Sequence, residues 1–166
     1  RSATAHNNLG GSLAQLGDVK AALPLLERAV TLNPDYAEAH ANLALALRAS
    51  GDAANALTHF REAVRLLPGN VVLRAELGQL LMENGRASDA LAQFEQAARL
   101  APDSAEVGFL LGQAHAQAGQ VPRAKQVLER ARQQARASGD AELLKKIEAA
   151  IAYCQGLERR VPRIAP

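Results

Sequence analysis

Apolar residues recur along this chain at spacings of three and four, and the pattern itself recurs every 34 residues. The frames 3–36, 37–70, 71–104 and 105–138 align without gaps. Their seventh positions hold Leu9, Leu43, Leu77 and Leu111, and their eighth hold Gly10, Ala44, Gly78 and Gly112. Glycine takes the fifteenth (Gly17, Gly51, Gly85, Gly119) and alanine the twentieth (Ala22, Ala56, Ala90, Ala124). Leu26, Phe60, Phe94 and Leu128 share the twenty-fourth, and Ala29, Ala63, Ala97 and Ala131 the twenty-seventh. Spacing of this kind places one apolar face on each of two helices per frame. The small residues at the eighth and twentieth positions let those helices approach closely. The reading is helices over 3–16, 19–32, 37–50, 53–66, 71–84, 87–100, 105–118 and 121–137.

Punctuation residues agree with that division. The glycine after each first helix supplies a positive φ and ends it, and Asp18 and Asp52 then stand ready to cap the second helix. Pro34, Pro68 and Pro102 close successive frames, since the residue before a proline avoids the helical region. The fourth frame has Arg136 where that proline belongs, so its second helix is free to continue. Beyond it, 141–157 reads as one more helix, with Leu143, Leu144, Ile147, Ile151 and Cys154 on one face and Lys145, Lys146, Glu148 and Glu158 mainly on the other. Gly139 and Asp140 form the turn before it. A fixed period of this length marks a helical repeat array, which needs a terminal helix with a polar outer face. The organisation expected is four repeats over 3–138, a capping helix within 139–158 and a flexible tail over 159–166.

Composition narrows the functions. The chain has 166 residues, 48% hydrophobic and 22% charged but only 3% aromatic. No run of apolar residues is long enough to span a bilayer, and no secretion signal is visible. The chain opens with Arg1 and holds a single Met, Met82, which reads as a piece of a longer product. The compartment stays open, with a soluble cytoplasmic protein as the default. Residues 1–119 carry nine Lys and Arg against twelve Asp and Glu, whereas 120–166 carry ten against five. That basic end reads as a solvated cap, and without interleaved aromatics no nucleic-acid partner is expected.

Candidate chemistry is sparse. His6 and His40 share the fourth slot, where a packing role outweighs a metal bridge, because no Cys or carboxylate completes a ligand set. His115 stands at an apolar slot and reads as a core histidine. Gly10-Gly11-Ser12 falls inside a helix, with no preceding strand and no P-loop lysine. Cys154 lies on the apolar face of the last helix, as a buried thiol would. No catalytic constellation appears, so neither enzymatic activity nor a cofactor is expected.

The slots resemble the tetratricopeptide repeat family over residues 3–138: Leu and Gly at seven and eight, then Ala, Phe, Ala and Pro. The fourth slot departs from it, with His6, His40, Arg74 and Gly108 in place of a Trp-type residue, and the eleventh holds Leu or His instead of Tyr. The resemblance implies an all-α, right-handed superhelical solenoid of stacked helix–turn–helix hairpins. It also implies a concave groove lined by first helices, in which a peptide or partner helix is held. Asn8 and Asn42, at the sixth slot, are similar to the asparagine ladder of the superhelical domain of O-linked N-acetylglucosamine transferase, and Glu76 and Leu110 interrupt it. Carried onto this sequence, the groove would display Asn7, Asn8, Asn42, Leu45, Arg48, Gln79, Met82, Glu83, Phe109, Gln113 and Gln117. Too few basic residues stand there for a carboxylate clamp. A protein-interaction scaffold is the leading expectation. The alternatives are a substrate-presenting module of a larger enzyme and an adaptor that self-associates through an uncapped first repeat.

Overall fold

The computed structural model describes residues 2–160. Among them are nine helices and no strand: α1 (Ala3–Gln15), α2 (Val19–Leu32), α3 (Ala37–Ala49), α4 (Ala53–Leu66), α5 (Val71–Glu83), α6 (Ala87–Leu100), α7 (Ala105–Gln117), α8 (Val121–Ser138) and α9 (Ala141–Arg160). The first helices stop one residue earlier than the spacing predicts, and α9 runs three residues further. Arg159 and Arg160, placed by the sequence reading in a tail, thus complete α9, and 161–166 lie outside the described residues.

The corners follow from backbone chemistry. Gly17 and Gly51 sit at φ 87° and 88°, a region that side chains with a Cβ disfavour. There the chain folds back, so that the Asp18 and Asp52 amides donate to the Leu13 and Leu47 carbonyls, each at 2.9 Å. Bonds of this kind satisfy carbonyls that a helix end otherwise leaves orphaned. The same aspartates then accept from the Ala21 and Asn55 amides at 3.1 and 3.2 Å, starting α2 and α4. Asp140 starts α9 in the same way, from the Leu143 amide at 2.9 Å. Hydrogen bonds from the side chain and backbone of Asn55 hold the Asp52 carboxyl below its usual range. One local rule is broken: α2 runs through Pro24, which deprives the Lys20 carbonyl of its usual donor.

The chain divides into two compact units, up to Leu80 and from Leu81, with the boundary inside α5. In the first, α1 packs on α2 and α3, α2 on α3, and α3 on α4. In the second, α6 packs on α7, α7 on α8 and α9, and α8 on α9. Against α7, α9 therefore takes the part that α3 takes against α1.

The core is built from the repeated slots. Ala22, Ala56, Ala90 and Ala124 are fully buried, as are Ala29, Ala63, Ala97 and Ala131, and the large residue between them is Leu26, Phe60, Phe94 or Leu128. At Gly112 a Cβ would fall 2.5 Å from Leu128 Cγ, so the close approach expected at the eighth slot is real. In α9, Ile147, Ile151 and Cys154 are buried against Leu128, Ala131 and Ala135 of α8. The seventh slot is less uniform than expected. Leu43, Leu77 and Leu111 are buried, but Leu9 is 54% exposed, because no helix precedes α1 among the described residues to cover it.

Candidate functional site

The residues with chemical potential resolve first. His6 Nδ1 lies 2.9 Å from the Ser2 carbonyl and His40 Nε2 lies 2.9 Å from the Pro34 carbonyl. The two rings thus serve separate backbone groups instead of converging on a shared ion. Arg74, at the same slot, donates from Nε and a terminal nitrogen to the Pro68 carbonyl at 2.9 and 2.7 Å. Gly108 has no side chain to offer, and Gln134 reaches across from α8 to the Pro102 carbonyl at 3.0 Å. The fourth slot thus ties down the Pro34 and Pro68 carbonyls, and Gln134 takes that part at Pro102. His115 is buried, with Nδ1 2.8 Å from Gln120 Oε1. Gly10, Gly11 and Ser12 lie within α1. Burial pushes the Cys154 thiol above its ordinary pKa, which suppresses the reactive thiolate. Among the described residues no group of three or more His, Cys, Asp and Glu side chains could hold a metal ion. No described helix is long and apolar enough to cross a membrane.

In the first unit the expected surface is partly spent on the protein itself. Asn7 was expected to face a ligand and does not: it is fully buried. Its amide nitrogen reaches the Tyr36 hydroxyl at 3.3 Å and Glu38 Oε1 at 3.2 Å, and its oxygen accepts from Asn42 Nδ2 at 2.9 Å. The physical reason is that Tyr36 and Glu38, at the entrance to α3, close over α1 there. Asn8 remains exposed and Asn42 half-buried. Asn42 and Leu45 line a cavity of 170 Å³ with Gly11, Ala14, Gln15 and Val19. Arg48 is bound to Glu76 at 3.0 Å, linking α3 to α5. The residue that interrupts the asparagine series therefore holds the cation expected to face a ligand. Gln79 is half-buried.

In the second unit Met82 is half-buried and Glu83 exposed. Phe109, Gln113 and Gln117 are brought together on α7, where with Ala116 they form one wall of a cavity of 350 Å³. The other wall is Lys146, Ala149, Ala150 and Tyr153 of α9. Both walls follow helical spacing, three to four residues apart, so each is a single stripe. Phe109 also packs against the buried cluster below, and Tyr153 stands 60% exposed at the rim. The lining is mostly apolar with a few convergent polar groups, the usual character of a ligand pocket. Sequence reasoning missed the α9 wall. Its signal was present in the spacing of Lys146, Ala149, Ala150 and Tyr153, but that helix was read only as a cover.

Five basic residues of the C-terminal stretch are engaged in ion pairs. Lys125, Arg130, Arg132, Arg136 and Lys145 pair with Glu158, Asp103, Glu129, Glu148 and Glu142.

Paired antiparallel helices with small-residue seams and glycine corners define a helical repeat protein. Tetratricopeptide repeat patterns match residues 7–71 and again 81–151, most of the chain, and the protein belongs to that family of protein-interaction scaffolds. Among curated protein sequences no match is found. Solved structures share the fold. MamA (41–end) of Desulfovibrio magneticus RS-1 is 20% identical with a TM-score of 0.72, over 96% of this chain and 97% of that one. YrrB, described as a TPR protein with an unusual peptide-binding site, is 22% identical with a TM-score of 0.74, over 94% and 78%. PilF of Pseudomonas aeruginosa is 21% identical with a TM-score of 0.69, over 92% and 76%.

Proposed function

We propose that this protein is a non-enzymatic scaffold that holds an extended peptide segment of a partner protein against the exposed faces of its first helices. The observation that carries this reading is the α7–α9 cavity. Phe109, Gln113 and Gln117, which the resemblance assigns to a groove, line a mostly apolar recess of 350 Å³ there. An apolar recess takes a side chain, and neighbouring amides, with donors and an acceptor each, pair with peptide groups of any sequence. Asn42 and Leu45 offer a smaller version of the same chemistry in the first unit. The likeness to YrrB is in keeping with this reading.

The test is binding of the 166-residue protein to a peptide array, repeated with Gln113→Ala, Phe109→Ala and Leu45→Ala. Weakened binding by at least one variant that remains folded supports the reading. Unchanged affinity for every captured peptide opposes it.

A second reading, self-association through the outer face of α1, is favoured by one observation. Leu9, midway along α1, and Leu16, just past its end, are 54% and 83% exposed and stand seven residues apart. Light scattering across concentration, with Leu9→Lys and Leu16→Lys as controls, separates the two.

A further inference from the structure

Helix α9 carries three acidic residues, and each is already engaged: Glu142 with Lys145, Glu148 with Arg136 and Glu158 with Lys125. Lys146 is different. It lines the α7–α9 cavity and has no ion-pair or hydrogen-bond partner among the described residues. The remaining lining (Phe109, Ala116, Ala149, Ala150, Tyr153, Gln113 and Gln117) contains no charge. Glu106, on α7, is exposed and does not line the recess. A lone ammonium at the edge of an apolar recess attracts an anion and is less screened there than on open surface. Two alanines on α9, beside two aromatic rings, leave room for one large side chain.

Resting on the peptide-scaffold reading above, we infer that this cavity selects a partner segment with a large apolar residue next to an acidic side chain. The apolar residue seats between Phe109 and Tyr153, and the neighbouring carboxylate pairs with Lys146 Nζ. The capping helix is thus half of the binding site, and it sets the charge preference. The segment is internal to the partner, because its backbone is held by the Gln113 and Gln117 amides instead of by a clamp for a terminal carboxylate.

The probes are fluorescein-labelled octapeptides with amidated C-termini and a central Leu flanked by Glu, Gln or Lys, titrated by anisotropy against the 166-residue protein. Glu-flanked peptides are expected to bind about fivefold tighter than Gln-flanked ones, the upper scale of an exposed ion pair. Lys146→Glu should reverse the order, so that Lys-flanked peptides bind best. Ala149→Leu, at an exposed position, should fill the recess and weaken every peptide by about tenfold, the scale of a truncated hot spot. Both variants alter exposed residues, and circular dichroism checks that they stay folded. An unchanged charge preference in Lys146→Glu, or binding only by peptides with a free C-terminal carboxylate, overturns the inference and leaves the scaffold reading standing. Absence of binding by any peptide, at any concentration reached, overturns both.

Discussion

The imidazoles of His40 and His59 meet nitrogen to nitrogen, Nδ1 to Nδ1 at 2.9 Å, bridging α3 and α4. The arrangement dictates protons. The Pro34 carbonyl only accepts, so His40 Nε2 carries a hydrogen, His40 Nδ1 accepts, and His59 Nδ1 donates. A charge on His59 is held poorly. Burial lowers the His59 pKa below the ordinary 6.5, the neighbouring His40 lowers it further, and Glu27 and Glu62 offset part of this.

A group with a depressed folded pKa is most favourable to the fold above its unfolded value. The unfolded chain then takes up the proton first as pH falls. Stability should therefore be highest above pH 6.5 and decline below it, levelling once His59 is protonated in the folded state. Urea melts of wild type and His59→Gln at pH 7.5 and 5.5 check this. The variant should lose less stability on acidification, and parallel losses would show that the pair is not responsible.

The proline carbonyls yield a second prediction. Gln134→Ala removes the donor to the Pro102 carbonyl, and Arg74→Ala removes the donor to the Pro68 carbonyl. Gln134→Ala should cost about 0.5–1.5 kcal/mol, the net worth of one hydrogen bond, and Arg74→Ala, which removes two from a charged donor, about as much or somewhat more, measured by urea denaturation. Both carbonyls lie near the surface, so water limits either loss.

Two glycines in helices should respond to alanine with opposite signs. At Gly156 a Cβ meets nothing within 4 Å, so Gly156→Ala should stabilise α9 by about 0.5–1 kcal/mol. At Gly112 the same atom would sit 2.5 Å from Leu128 Cγ, and Leu128 is fully buried. Overpacking of roughly 1–3 kcal/mol outweighs the helical gain there. Thermal melts of the two single variants should move in opposite directions.

Much of this was legible in sequence, and the reason is repetition. A residue type that recurs at one slot in four frames reports a packing constraint four times, so Ala56, Phe60 and Gly51 could be assigned to seam, core and corner. What escaped lies where the register breaks. Gln134 serves the Pro102 carbonyl 32 residues away only because Gly108 cannot, a long-range substitution with no local signature. Asn7 looked like a ligand contact by slot, yet Tyr36 and Glu38 cover it in the first hairpin. The α9 wall escaped because that helix belongs to no frame, so Lys146 and Tyr153 had no slot to be compared with.

The most direct measurement is an amide NMR titration of the 166-residue protein with the amidated Leu–Glu octapeptide. Binding at the α7–α9 cavity should shift the resonances of Gln113, Gln117, Lys146 and Tyr153. Those of Arg28 on α2 and Gln126 on α8 should stay in place. Saturable shifts confined to other helices, with these four unmoved, would contradict the account.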